Sequence, residues 1–128
     1  MIEDYFNGII EIVLVNQAVA SFKILRKEVA EEDGYIRVKC SLSNSDIFEF
    51  AEYIVLHKNK VSLQTYNYHW QGKDGKLIKR WDNVPHHREL DTFPHHLHLA
   101  NSKTVSSTKV TLKKILSEIE KAIIFHEE

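Results

Sequence analysis

A single cysteine, Cys40, excludes an intrachain disulfide and any CxxC metal motif. It lies in an apolar alternation, which fits buried packing better than catalysis. Four glycines are too few for a phosphate-cradling loop, and Gly72 and Gly75 are accounted for by a hairpin. The chain contains no GxSxG elbow, no Walker loop, no GxGxxG and no HExxH. Repeats, low-complexity tracts and Pro/Gly/Ser linkers are absent too. No apolar run approaches the roughly 20 residues of a membrane helix. Glu3 and Asp4 stand where a signal peptide would be basic. These absences give the expectation of a cytoplasmic protein with no membrane partner.

What is present is an ordinary globular composition. The 128 residues are 43% hydrophobic and 27% charged, which suits a single domain over residues 1–128. The net charge of −1 hides an asymmetry. Residues 1–57 carry 5 Lys/Arg against 10 Asp/Glu, a net of −5. Residues 58–98 carry 7 basic against 4 acidic residues, a net of +3, with six of the eight histidines. Such a segment can make a local basic face, although ordinary polar loops give the same count.

The first element reads as a helix, with Ile2, Tyr5, Phe6, Ile9, Ile10, Val13 and Gln17 at helical spacing. Phe22–Val29 suggests an edge-like strand, and Glu32-Asp33-Gly34 a hairpin turn. Tyr35–Leu42, Ile47–His57, Val61–Trp70 and Lys76–Asp82 follow as strands. Turn residues at Asn44-Ser45-Asp46, His57-Lys58-Asn59 and Gly72–Gly75 separate them. After a loop from Asn83 to Pro94, His95–Leu99 suggests a short sixth strand. A last helix starts near Thr108–Thr111, with Leu112, Ile115, Leu116, Ile119, Ala122 and Ile123 on one face. The fold class expected is α+β: an antiparallel β-meander of five to six strands flanked by an N-terminal and a C-terminal α-helix.

Strand alternation places Tyr66, Tyr68 and Trp70 on one face and Asn67, His69 and Gln71 on the other. A two- or four-residue hairpin loop adds Leu77, Lys79 and Trp81 to the aromatic face, and Ile78, Arg80 and Asp82 to the His69 face. A three-residue loop would break that pairing. Tyr68 and Trp70 have two readings, packing beneath helices or stacking on exposed bases. With Lys79 and Arg88 they are the candidate nucleic-acid contacts. Glu49 and Glu52 point to opposite faces, so they are read as solvated residues, not a catalytic pair, with Glu49 at best a distant candidate.

His69 with Arg80 carries the sharper chemistry. Imidazole exchanges protons near neutral pH, and guanidinium offers a fork of donors to a phosphate. The pair suits phosphodiester cleavage, and the plainer reading is two solvated surface groups. His86, His87, His95, His96 and His98 are further proton-transfer or backbone-contact candidates. No cofactor is expected on this reading. An alternative puts a metal on His96 and His98, two apart on a strand, with His86 or His87 and the carboxylate of Asp82 or Asp91 completing it.

The strings Tyr66-Asn67-Tyr68-His69-Trp70-Gln71, Arg80-Trp81-Asp82-Asn83, Pro85-His86-His87 and Phe93-Pro94-His95-His96-Leu97-His98 resemble the TumE-type toxins, small prokaryotic proteins of type II toxin–antitoxin systems. The likeness spans nearly the whole chain. It implies a toxin held by a cognate antitoxin protein, and by analogy with other small toxins it points to RNA. Three readings stay open: a metal-independent ribonuclease acting through His69 and Arg80, a metal-dependent nuclease or phosphoesterase, and a non-catalytic nucleic-acid- or protein-binding module. A homodimer joined through Phe22–Val29 is a further expectation.

Overall fold

Helix α1 (Ile2–Val15) forms where apolar residues recur every three or four positions, and its buried residues are Ile2, Phe6, Ile9 and Val13. Glu3 and Asp4 occupy its first turn, where acidic groups suit the positive end of the helix dipole. The computed structural model describes residues 1–84, 90 and 92–127. After α1 come strands β1 (Val19–Val29), β2 (Asp33–Leu42), β3 (Ile47–His57), β4 (Lys60–Gln71), β5 (Leu77–Asp82), β6 (His96–Leu99) and β7 (Thr104–Ser106), and then helix α2 (Leu112–Glu127). The strands form one antiparallel sheet in sequence order. No helix among the described residues is long and apolar enough to cross a membrane.

Both helices lie on one face of this sheet. Alternation on β2 turns Ile36, Val38, Cys40 and Leu42 towards them, together with Phe48 and Phe50 of β3 and Tyr66, Tyr68 and Trp70 of β4. From α2, Leu112, Ile115, Leu116, Ile119 and Ile123 join the same core. The α1–β1 corner is tied to α2 by the Asn16 side-chain amide, which donates to the Leu116 carbonyl at 3.0 Å. Gly34 permits the close seating of α1. A Cβ there would lie 2.8 Å from Ile2 Cγ2 and 2.9 Å from the Phe6 ring. Burial pushes the Cys40 thiol up to about 12, so it serves as packing.

The meander has seven strands rather than five or six. β7 is three residues long, too short to show an alternation, and β1 begins at Val19 rather than Phe22. The turn expected at Glu32-Asp33-Gly34 falls earlier, between Val29 and Asp33, because Asp33 and Gly34 already pair within β2; the later turns follow their residue chemistry. Lys58 and Asn59 both take positive φ, 49° and 61°, in the two-residue hairpin joining β3 to β4. Gly75, at φ 84°, serves the next hairpin. That hairpin closes with Gly72 N–H donating to the Lys76 carbonyl, leaving three residues at its tip. Such a loop would break the odd–even pairing, but the register shifts by one residue before Lys79 and restores it.

Candidate functional site

The hairpin registers build the open face of the sheet row by row. His69 of β4 stands opposite Arg80 of β5, Arg80 opposite His98 of β6, and His98 opposite Thr104 of β7. The next row runs Asn67, Asp82, His96, Ser106. Directly opposed side chains on one face stand about 5 Å apart, so four adjacent strands gather polar groups from residues 67 to 106. On the helix side the corresponding row is Tyr68, Trp81, Leu97, Val105.

Two polar regions result. The first is a groove of about 310 Å³ whose walls include Arg37, Lys39, Glu49, His69, Gln71 and Arg80. Arg37 Nη1 meets Glu49 Oε2 at 2.6 Å, and its Nε donates to the Tyr35 hydroxyl at 3.0 Å. His69 Nε2 lies 2.9 Å from Gln71 Oε1. With that oxygen accepting, Nε2 carries the hydrogen of the neutral ring and Nδ1 keeps the lone pair a base needs. Glu49 pairs with His69 across β3 and β4, so acid, imidazole and guanidinium share one surface.

The second region is centred on Asp82, which is 2% exposed. His96 Nε2 lies 2.6 Å from Asp82 Oδ1, and His98 Nε2 lies 3.1 Å from Oδ2. Arg80 Nε is 3.3 Å from Oδ2 and links this cluster to the groove. The far nitrogens of both rings are engaged as well. His96 Nδ1 is 2.9 Å from the Pro94 carbonyl, and His98 Nδ1 is 3.2 Å from Thr104 Oγ1. Burial and then the Arg80 charge lower the pKa of His98, against the opposing pull of Asp82.

The structure sorts the candidates by face. His69 and Arg80 come together in the groove. His96, 1% exposed, and His98 lie beside it on Asp82 instead of opening into it. Tyr68 and Trp70 are buried in the core, so they cannot stack on bases. Lys79 also falls on the helix side, where it pairs with Glu118 at 2.9 Å and lies over the Trp81 ring. As a neighbour of Arg80 on a strand it must point the other way. His95 stacks on Tyr66, with Nδ1 2.7 Å from its hydroxyl, and burial lowers its pKa. His86, His87 and Arg88, and with them Asp91, lie outside the described residues. Glu52, expected in solvent, is 1% exposed and accepts from the Tyr5 and Tyr68 hydroxyls. Arg37 and Gln71 were not among the candidates, and Glu49 was only a distant one. Their signal was the parity of strand positions across β2, β3 and β4, which needs the hairpin registers to read.

No curated relative and no solved structure matches the chain. A family model described as Toxin TumE matches residues 9–123, which takes in both polar regions, the second half of α1 and most of α2. The chain therefore belongs to the TumE toxin family.

Proposed function

We propose that this toxin binds RNA through its phosphodiester backbone in the open-face groove and cleaves it without a metal in the chemical step. Arg80 acts as the phosphate clamp and His69 as the proton acceptor. The observation that carries this reading is the direct opposition of His69 and Arg80 in a groove that opens to solvent. Arg37 and Lys39 add positive charge to the walls, as backbone recognition requires. In the reaction, His69 Nδ1 takes the proton of the ribose 2′-hydroxyl, and the 2′-oxygen attacks phosphorus. The bond to the 5′-oxygen breaks, that oxygen takes a proton from water, and a 2′,3′-cyclic phosphate remains. Arg80 stabilises the charge that grows on the phosphoryl oxygens. The fork of a guanidinium suits that task better than an ammonium would.

Purified toxin incubated with RNA and a chelator is expected to release fragments ending in a cyclic phosphate. His69→Ala and Arg80→Ala are each expected to abolish this cleavage. Cleavage that survives both changes would remove the site, and tight binding without turnover would favour a module that acts by occupancy. Family membership supports an antitoxin as the physiological partner. A symmetric dimer through the open edge of β1 belongs to the same proposal, and the mass of the antitoxin-free protein in solution tests it.

A further inference from the structure

Asp82, His96 and His98 each present one ligand atom, and these atoms lie within 4.8 Å of one another. The placement follows from register: Asp82 stands opposite His96, and His98 is two residues along the same face. The hydrogen bonds behind the imidazoles decide what faces Asp82. A carbonyl oxygen only accepts, so His96 Nδ1, 2.9 Å from the Pro94 carbonyl, must carry a hydrogen. In a neutral ring that leaves Nε2 with a lone pair, and it points at Asp82 Oδ1 from 2.6 Å. Two lone pairs so close, on side chains 1% and 3% exposed, require positive charge on or between them. A proton shared between Nε2 and Oδ1 meets that need for His96 alone. A divalent cation meets it and also uses His98, whose Nδ1 is backed by Thr104 Oγ1 at 3.2 Å. A hydrogen-bonding oxygen behind each ligating imidazole is the usual support of a metal site.

We infer that Asp82, His96 and His98 bind a borderline divalent transition ion of the zinc type and so pin β5 to β6. Two imidazole nitrogens and one carboxylate oxygen, with no sulfur, match zinc in donor type, with water in the remaining position. Arg80, 3.3 Å from Asp82 Oδ2, is the one described cation near this carboxylate, and it weakens the affinity without removing a ligand. Oδ1 also accepts the Val84 N–H at 3.3 Å, which orients the carboxylate. The ion is structural in this role. The inference therefore stands whether or not the groove cleaves RNA.

The test uses full-length protein purified without a polyhistidine tag. Zinc is titrated against a competing chromophoric chelator, and cobalt is added separately for its visible spectrum. One zinc per chain is expected, with a cobalt spectrum of a low-coordinate nitrogen–oxygen site and a higher melting temperature in the presence of zinc. His98→Ala is expected to weaken zinc at least about 100-fold, and Thr104→Val, which spares every ligand, about 10-fold. His57→Ala, in the distant β3–β4 turn, should leave binding unchanged. Circular dichroism of the metal-free His98→Ala protein verifies its fold, and Thr104→Val gives a second reading if that variant is unstable. Absence of stoichiometric zinc, or binding equal in wild type, His98→Ala and Thr104→Val, overturns the site. Wild-type protein that binds zinc but cleaves no RNA would count against the groove alone.

Discussion

Glu52 and Asp82 are carboxylates buried on opposite faces of the sheet, and their surroundings differ in kind. Glu52 faces the helices and accepts from two tyrosine hydroxyls, groups that have a hydrogen to give and nothing further to do. Burial is the main influence on it and raises its pKa. Asp82 faces the open side and meets two imidazoles and a guanidinium, groups that carry charge, protons or lone pairs. The first arrangement locks α1 to β3 and β4. The second concentrates reactive chemistry at the edge of a solvent groove. Burial alone therefore does not mark a functional carboxylate; the nature of its partners does.

The largest expected consequence is that of removing Asp82. Asp82→Ala leaves Arg80 without its counter-charge and His96 and His98 without their shared polar partner, and should cost about 3 kcal/mol or more in urea unfolding. A cost near that of an exposed residue would erase the contrast with Glu52. Tyr68→Phe removes one donor from Glu52 while keeping the ring, and should cost about 1–2 kcal/mol by the same measurement. Glu52→Gln tests the pH consequence. Because the folded pKa of Glu52 is raised, the folded state holds a proton that the unfolded chain has released. Its stabilising contribution is thus complete below the ordinary carboxylate range and is lost as pH rises through the folded value. Melting temperatures of wild type should fall over that interval, and the part of the fall due to Glu52 should vanish in Glu52→Gln. The smallest effect belongs to Lys79→Ala. Its partly exposed pair with Glu118 is worth under about 1 kcal/mol, and its place on the helix side predicts unchanged toxicity.

The fold was legible wherever one face is buried. The alternation of β2 and the helical spacing of α1 each specify which residues go inside, and the structure has them there except Gln17, which lies past the end of α1 and is exposed. The opposition of His69 with Arg80 was readable from hairpin parity, though the three-residue tip reached it by way of a bulge. β7 escaped because three residues carry no period. Glu49 and Arg37 escaped because their approach to His69 depends on the registers of two more hairpins. Glu52 was misread for a different reason. A glutamate in an apolar strand looks solvated until Tyr5, 47 residues earlier, is seen to reach it.

Arg80 and Lys79 are sequence neighbours with opposite assignments, so the toxicity of Arg80→Ala tests the central claim most directly. Expressed without antitoxin, wild type should arrest growth, and Arg80→Ala should permit it at equal protein level with a folded circular-dichroism spectrum. Growth arrest by a folded Arg80→Ala protein as strong as that of wild type would contradict the account.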